Sequence, residues 1–394
     1  MKKKISIITL IALAAGIIYG LVAKELVLKT EFIGTFYLTF LKYMILPVIF
    51  TSISVSVYQS ARNTEGLVLK TVILFMVMFV LSFLLSSAII TVIDPAKGFT
   101  FIDTSSSVTP QEIRFIDLII NLIPKDIKGL LTGKYLFFVI VVSYLTGMIT
   151  HKLKAETFIS YVTKVRDFLY QILGYLIYVT PAAVFSLISV SIYRFGIDTL
   201  LAGLKYILTA YICGIAVLVF IMMVPIKIFC RLSVRELFRK IYPIWMMTLS
   251  TCSSAATLPY TIKLCKEDLD IDPQITDIVV PLGCTIHMCG GAVSFSLLGL
   301  FCAGISRVTM TLSMYLYMLV TAVALNMSAP GIPNGGVVIG ATYLEMMGLP
   351  LDFIGMYAGI YKILDMLYTT LNVTGDISAN VILNHSMKKK ADMQ

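Results

Sequence analysis

Two carboxylates, Asp365 and Asp376, lie within residues 361–376 of an apolar segment near the end of the chain, residues 351–384. At about 100° per residue, a helix over this segment would place five side chains on one stripe: Tyr361, Asp365, Tyr368, Asn372 and Asp376. A carboxylate at membrane depth is costly unless it meets a partner, water or an ion. The stripe therefore predicts a site for a ligand or a cation. The alternative is a soluble amphipathic helix with ordinary surface acids.

The composition favours the first interpretation. Hydrophobic residues make up 58% of the 394 residues and charged residues 13%, with a mean hydropathy of +0.91. Soluble domains are roughly a quarter charged. The surplus apolar surface requires lipid around it, so we expect a multi-pass membrane protein.

The net charge of +9 includes basic groups in short loops and at both ends: Lys2–Lys4, Lys152, Lys154, residues 231–240 and Lys388–Lys390. This distribution is typical of cytoplasmic flanks under the positive-inside rule. We therefore expect both termini in the cytoplasm and an even number of crossings of the cell inner (plasma) membrane. No nucleic-acid partner is expected.

The segment Ile5–Ala23 follows three lysines, as the apolar region of a signal peptide does. It lacks a small-x-small cleavage site followed by a soluble domain, so it is interpreted as the first membrane helix. The seven cysteines lie in or beside apolar segments, without zinc or disulfide spacing. No covalent cofactor is expected.

Eight apolar runs are long enough to cross a hydrocarbon core of about 30 Å. They cover residues 5–23, 36–58, 69–93, 135–150, 168–191, 200–230, 275–302 and 351–384. A polar interval around residues 94–134 is predicted to be a loop.

Two further apolar stretches are interrupted by small polar residues, proline and glycine. The first, Tyr242–Ile262, is broken around residues 250–259, and the second, Met310–Met347, is broken around residues 326–336. Lipid cannot satisfy the backbone groups that such a break frees, so they must lie inside protein or line a water-filled cavity. Each stretch is predicted to be a re-entrant helical hairpin, with two helices and a surface loop as the alternative. Paired broken segments are typical of a transporter's binding site.

These motifs resemble those of the dicarboxylate/amino acid:cation symporters, the glutamate transporter family. Ser253-Ser-Ala-Ala-Thr-Leu-Pro259 is similar to the family's first hairpin, and Pro330-Gly-Ile-Pro-Asn-Gly-Gly336 to its second hairpin tip. Pro281-Leu-Gly-Cys-Thr-Ile-His-Met-Cys-Gly290 stands where the family has an Asn-Met-Asp-Gly-Thr helix. Asp365 with Asn372-Val-Thr-Gly-Asp376 matches the last helix. The order and spacing agree along nearly the whole chain.

The resemblance implies an all-α polytopic membrane protein with eight transmembrane helices, two re-entrant helical hairpins and inverted repeats. It implies a homotrimer in which each protomer has a static scaffold, residues 1–65 and 97–195. Residues 66–96 and 196–394 would form a transport domain that moves across the membrane like an elevator. The chain is thus expected to be a transporter and not an enzyme, with a small-molecule substrate and the lipid bilayer as partners.

The resemblance also implies residue roles at the substrate. Asp365 would hold the substrate α-amino group through a charge-assisted contact, and Asn372 would contact the substrate carboxylate. The first hairpin tip would bind the same carboxylate, aided by a helix N-terminus. The other predicted substrate-binding residues lie at the hairpin tips or on the stripe: Ser253, Ser254, Pro330, Gly331, Tyr361 and Tyr368.

Two sodium sites follow from the resemblance, built from the oxygen ligands that hard cations prefer. Asp376 and the Gly283 carbonyl would bind one ion, and Thr285 with second-hairpin carbonyls would bind the other. The full predicted set is Gly283, Thr285, Asn326, Met327, Ala329, Asn372 and Asp376. Sodium ions, protons or both are the expected coupling ions.

The deeper sodium site of the family is predicted to be absent. Cys289 stands where the family has the aspartate of that site. The third helix offers Phe75, Met78 and Phe79 where hydroxyl-bearing ligands are expected. A sodium ion there would have no carboxylate and too few oxygens.

His287 replaces an asparagine next to two of the ion sites. Imidazole titrates near physiological pH, so we hypothesise that His287 takes part in proton coupling. The alternative is a neutral core histidine hydrogen-bonded to a neighbour such as Asp376. A catalytic pair of His287 and Cys289 is not expected, because residues two apart on a helix point in different directions.

The two tyrosines bear on the substrate. Family members that take glutamate or aspartate carry an arginine where this chain has Tyr368, and Tyr361 replaces an accompanying aspartate. Tyrosine cannot make the bidentate charged contact that an acidic side chain needs. This favours a neutral or polar amino acid. In the alternative, the tyrosines only pack and another cation, such as Lys362 or Lys263, reads the substrate.

The sequence thus predicts a secondary active symporter for a small neutral or polar amino acid. One alternative is a symporter of acidic amino acids or C4-dicarboxylates. An alternative from another class is an uncoupled facilitator or a channel. An intramembrane enzyme has no supporting motif in the sequence.

Overall fold

The computed structural model describes residues 2–61, 65–99, 136–176, 178–196, 198–326 and 335–391. Within these ranges the chain is helical and contains no β-strand. The helices in order are α1 Lys2–Val22, α2 Glu31–Ala61, α3 Glu65–Ile93, α4 Leu136–Lys152, α5 Glu156–Leu176, α6 Thr180–Phe195, α7 Asp198–Val217, α8 Val224–Phe229, α9 Val234–Thr251, α10 Ser254–Lys263, α11 Pro273–Ile286, α12 Cys289–Ile305, α13 Leu312–Asn326, α14 Gly335–Met346 and α15 Ile354–Ala391. A 3₁₀ helix, Lys24–Thr30, joins α1 to α2, and π-helical turns follow α7 and α10 at Leu218–Met223 and Leu264–Asp268.

Three stretches of the described chain are helical, long and apolar enough to cross a membrane: Gly66–Ile93, Leu200–Phe229 and Pro273–Ile305. Shorter apolar helices include Ile11–Val22 and Leu312–Asn326. The number of eight crossings stays a prediction. Most of the predicted loop at 94–134 lies outside the described residues.

The predicted crossing at residues 168–191 is wrong as a single helix. Helix α5 ends at Leu176, and α6 begins at Thr180 with Pro181 in its first turn. Proline fits the first turn of a helix, but in the interior of a helix it has no N–H to donate and its ring clashes with the carbonyl four residues earlier. The apolar run therefore splits just before Pro181.

The first broken stretch is interrupted as predicted. Helix α9 ends at Thr251, and Cys252 adopts a left-handed conformation with φ 47° and ψ 45°. This conformation is uncommon for a residue with a Cβ and ends the helix. Ser253 then starts α10, because its side chain accepts a hydrogen bond from the Ala256 backbone N–H. The tip of the second stretch, residues 327–334, lies outside the described residues, and re-entry of either stretch into the membrane stays a prediction.

The predicted crossing at residues 275–302 is also broken. Helix α11 ends at Ile286, and α12 begins at Cys289. Between them, His287 has φ −104° and ψ 107°, and Met288 has φ −132° and ψ 73°. Gly290 and Gly291 follow the break, and glycine weakens a continuous helix. Neither His287 nor Met288 has helical backbone, so the helix is interrupted at these two residues.

Helix α15 lies inside the protein, where it packs against α7, α9, α11, α12 and α14. Leu364, Leu371 and Ala379 on this helix are fully buried. Helices α1, α2, α4, α5 and α6 pack mainly on one another, whereas α3 packs against α7 and α12. The polar stripe of α15 is therefore enclosed by other helices, which disagrees with a surface helix carrying ordinary acids.

Candidate functional site

Asp376 faces the break between α11 and α12. Its Oδ1 atom lies 2.8 Å from Nδ1 of His287, and both side chains are almost fully buried. The Gly283 backbone passes directly against the carboxylate, since a Cβ atom at position 283 would lie 2.6 Å from Cγ of Asp376. The structure thus brings together three predicted site residues. The hydrogen bond is the one expected of a core histidine, and a part for His287 in proton coupling stays a prediction.

The imidazole of His287 is enclosed on its other sides as well. Its Nε2 atom lies 2.9 Å from Sγ of Cys289, and its ring stacks on Phe75 with centroids 4.3 Å apart. A Cβ atom at Gly375 would lie 2.6 Å from Cε1 of the imidazole. The expectation that His287 and Cys289 point apart is wrong, because the helix is broken between them. A chain of hydrogen-bonding groups, Asp376–His287–Cys289, results.

Asn372 holds the first turn of α12. Its Oδ1 atom accepts a hydrogen bond of 2.8 Å from the Gly290 backbone N–H. Gly290 lies directly on the backbone of Tyr368, since a Cβ atom at position 290 would lie 2.5 Å from Cα of Tyr368. Because Oδ1 accepts only this one hydrogen bond, it keeps a lone pair for a cation, and a ligand carboxylate would meet the Nδ2–H donors.

Asn326 lies at the same break and fits a cation site. Its Nδ2 group donates to the Ile286 carbonyl at 3.5 Å. Its Oδ1 atom is buried against Gly291 and has no hydrogen-bond partner among the described residues. A buried oxygen without a donor, beside the last carbonyls of α11, suits a hard cation. Thr285 lies in this last turn, where its hydroxyl donates to Leu282 at 2.7 Å.

Asp365 is half-buried and accepts a hydrogen bond of 3.3 Å from the Thr369 hydroxyl. Helices α9 and α10, which flank the break at Cys252, both pack against α15, the helix that carries Asp365 and Lys362. Lys362 lies within electrostatic range of Asp365, one turn away on α15. The break that begins at Cys252, followed by the half-buried Ser253 and Ser254, therefore adjoins the polar stripe.

Tyr361 and Tyr368 are both buried, at 8% and 4% exposure. The ring of Tyr361 packs edge-on against Tyr357, with centroids 5.5 Å apart. The Tyr368 hydroxyl is buried and has no hydrogen-bond partner among the described residues. These rings form an uncharged wall on the same helix as Asp365. The predicted residues Met327, Ala329, Pro330 and Gly331 lie outside the described part of the chain.

Sequence reasoning missed the contacts that attach α9 to α15. The hydroxyls of Thr248 and Thr370 lie 2.7 Å apart, and Nε1 of Trp245 donates to the Thr374 hydroxyl at 3.0 Å. The polar side chains of α9 stand three residues apart, and those of α15 stand four apart. This spacing on an otherwise apolar pair of helices was the available signal.

A buried polar stripe faced by two interrupted helical stretches is the architecture of a membrane transport protein. The profile of the Sodium:dicarboxylate symporter family matches residues 5–386. The chain therefore belongs to the sodium:dicarboxylate symporter family, whose members are transporters and not enzymes.

Two individual relatives match nearly the whole chain, and a third matches a shorter part of it. It is 24% identical to the proton/glutamate-aspartate symporter of Bacillus subtilis (strain 168), over 98% of this chain and 95% of the relative. It is 22% identical to the proton/sodium-glutamate symport protein of Geobacillus stearothermophilus, over 95% of this chain and 92% of the relative. A shorter match, 36% of this chain and 26% of the relative, is 35% identical to neutral amino acid transporter A of Homo sapiens.

Proposed function

We propose that this chain is a secondary active symporter that imports an acidic amino acid together with sodium ions, protons or both. Asp365 is the observation that carries the proposal, because it is a half-buried carboxylate beside the break between α9 and α10. The ammonium group of an amino acid would neutralise it through a charge-assisted hydrogen bond. The full-length relatives are named for symport of glutamate or aspartate. Their names favour the acidic alternative over the neutral substrate that the tyrosines suggested.

Lys362 is the group that we assign to the second carboxylate of an acidic substrate. It lies within electrostatic range of Asp365. Lys263, the other candidate cation, is 66% exposed and lies 3.7 Å from Glu267. A lysine ammonium binds a carboxylate as a point charge rather than through a bidentate fork. The substrate's side-chain carboxylate would thus be attracted without the geometric contact that arginine gives.

The α-carboxylate of the substrate would meet hydroxyl and amide donors. We assign this part to Ser253, Ser254 and the Nδ2 group of Asn372, together with Pro330 and Gly331 of the second tip. The start of α10 adds the backbone N–H groups of its first turn, which favour an anion.

A neutral amino acid is the second candidate. The buried, uncharged rings of Tyr361 and Tyr368 favour it, since burying a charged side chain against them would leave its charge poorly solvated. The shorter match to neutral amino acid transporter A adds support.

Uptake into proteoliposomes containing the full chain separates these possibilities. The probes are L-glutamate, L-aspartate, L-serine and L-alanine, with a sodium gradient, a proton gradient or neither. The proposal predicts that an acidic probe accumulates above its external concentration only when a gradient is present. Accumulation of serine or alanine alone would establish the neutral candidate, and equilibration without accumulation would indicate a facilitator or channel.

Variants test the assigned residues in the same assay. Asp365→Ala should abolish amino-acid uptake. Lys362→Met should reduce acidic uptake by at least about tenfold, as expected for loss of one charged contact, whereas Lys263→Met is the matched control and should have no effect. Equal uptake by Lys362→Met and Lys263→Met would refute the part assigned to Lys362.

For the coupling ions, we propose that Asp376, Asn372 and the Gly283 carbonyl hold one cation. Thr285 and Asn326, with Met327 and Ala329 of the second tip, would hold another. His287 would take part in coupling because a cation at Asp376 must share or replace its hydrogen bond to that carboxylate. We expect His287→Asn to change the sodium or pH dependence of uptake. If both dependences stay as in the wild type, His287 has no part in coupling.

We also propose the scaffold and transport domains, the elevator movement, the homotrimer, the plasma membrane location and the cytoplasmic termini that the family resemblance implies. Packing among α1, α2, α4, α5 and α6, apart from most contacts of α3, supports the division into domains. The mass of the purified protein in detergent tests the trimer. A cross-link between cysteines introduced into the facing surfaces of α6 and α15, which pack against each other, should stop uptake until it is reduced.

A further inference from the structure

Helices α14 and α15 meet through two glycines and two tyrosines with the same spacing. Gly336 and Gly340 lie four residues apart on α14, and Tyr357 and Tyr361 lie four apart on α15. A Cβ atom at position 336 would collide with Oη, Cζ and Cε2 of Tyr361. A Cβ atom at position 340 would lie 3.2 Å from Cε1 of Tyr357. We call these four residues the glycine–tyrosine seam, in which each ring fills the notch that a missing side chain leaves.

The two rings are held in place from behind. Tyr357 is fully buried, and its hydroxyl lies 2.8 Å from the Ser294 hydroxyl on α12. Tyr361 packs edge-on against Tyr357 at 5.5 Å. Edge-to-face aromatic pairs add stability beyond the area they bury. The Tyr361 ring therefore cannot move without disturbing Tyr357 and its hydrogen bond to α12.

The seam joins the substrate stripe to the start of α14. Tyr361 lies one helical turn before Asp365, and Gly336 lies in the first turn of α14, at the end of the break in the second stretch. Close-packed interiors transmit displacement rather than absorbing it. A shift in the position of α14 must therefore also displace the turn of α15 that carries Asp365.

We infer that Tyr361 is a positioning residue whose ring, seated on Gly336, holds the first turn of α14 against the polar stripe. The substrate pocket proposed beside Asp365 reaches its full affinity only with the Tyr361 ring seated on Gly336. This inference rests on the proposed transport function for that pocket. It assigns to Tyr361 a part that does not require its hydroxyl to touch the substrate.

Gly336→Ala is the direct test, with uptake of the best acidic or neutral probe measured in proteoliposomes. Displacement of a positioning element by about 1 Å can cost a large factor, so we expect KM to rise at least about tenfold. The maximal rate per protein should fall less, which is the signature of lost binding. Tyr361→Leu in the same chain removes all three colliding atoms and should restore KM to within about threefold of the wild type. Gly66→Ala is the matched control, because a Cβ atom there meets nothing within 4 Å.

Tyr361→Phe separates positioning from substrate contact through the hydroxyl. This variant keeps the ring atoms Cζ and Cε2 that a Cβ atom at position 336 would meet, so adding Gly336→Ala to the Tyr361→Phe chain should still raise KM at least about tenfold above that of Tyr361→Phe alone. A wild-type KM for Gly336→Ala, no rescue of that variant by Tyr361→Leu, or no effect of Gly336→Ala in the Tyr361→Phe chain would each overturn the inference.

Failure of the proposed function gives a different result. In that case the wild-type chain accumulates none of the four amino acids. The packing of the glycine–tyrosine seam is then tested by the midpoint temperature of thermal unfolding. Gly336→Ala should lower this midpoint, and adding Tyr361→Leu to the same chain should restore it. An unchanged midpoint for Gly336→Ala overturns the inference independently of transport.

Discussion

The contact of Gly290 with the last helix gives a sharp test of how the site is assembled. A Cβ atom at position 290 would lie 2.5 Å from Cα and 2.7 Å from the carbonyl carbon of Tyr368. These are backbone atoms, which cannot rotate away as a flexible side chain would. Gly290→Ala must therefore push the start of α12 away from α15.

The cost follows from two contributions. Overpacking of a close-packed interior costs about 1–3 kcal/mol, and a clash with backbone belongs at the upper end. Displacement of α12 also breaks the 2.8 Å hydrogen bond from the Gly290 N–H to Asn372, which contributes about 1 kcal/mol. Gly290→Ala is therefore expected to lower the free energy of unfolding by about 3–4 kcal/mol.

Unfolding of the purified chain can be followed through its single tryptophan, Trp245, which hydrogen-bonds to Thr374 on α15. Gly66→Ala is the control, since its new Cβ atom meets nothing within 4 Å. Alanine in place of a helical glycine should stabilise that variant by at most about 1 kcal/mol. A loss of less than about 1 kcal/mol for Gly290→Ala would refute the reasoning, because it is the size of an ordinary substitution.

Two further predictions concern α9. Thr248→Val and Thr370→Val should each destabilise the chain by about 1 kcal/mol, because each removes the hydrogen bond between the two hydroxyls and leaves the remaining one only the carbonyl of its own helix. The double variant should cost less than the sum in a double-mutant cycle. At the start of α9, the Ser233 hydroxyl and backbone N–H donate to the Glu236 carboxylate and lower the pKa of Glu236. The stabilisation is therefore complete above the ordinary pKa of glutamate and is lost as the pH falls through the lower folded value. Unfolding midpoints of the wild type and Glu236→Gln should converge over that acidic range, and a constant difference would contradict this assignment.

The polar stripe could be predicted because it depends on local geometry. One helix of regular pitch carries Asp365, Tyr368, Asn372 and Asp376, and the spacing alone places them on one face. The apolar composition predicted that these polar groups are buried, because so apolar a chain has little surface in contact with water. The break at Cys252 was equally visible, because the residues around it are small and polar.

The break at His287 and Met288 could not be placed from spacing in the same way. It depends on the hydrogen bond between Gly290 and Asn372, which are 82 residues apart in sequence. A run of apolar residues does not show that the Gly290 N–H will donate to the side-chain oxygen of Asn372 instead of to a carbonyl of its own helix. The split before Pro181 could have been predicted, because the proline is present in the sequence. The prediction of one helix relied instead on the length of the apolar run. The position of the Cys252 break beside α15 depends on how α9 and α10 pack against that helix, which the periodicity of one helix does not determine.

The interruption between α11 and α12 sets two helix ends of opposite partial charge side by side. Helix α11 ends at Ile286 with carbonyl groups, and α12 begins at Cys289 with amide groups. A cation is favoured at the first end and an anion at the second. Two ligands of opposite charge held this close attract each other, and the factor by which one tightens the other is the same in both directions. Filling one end would thus raise occupancy at the other, and with the proposed sites a difference in ion concentration across the membrane would become a difference in how often the substrate is held.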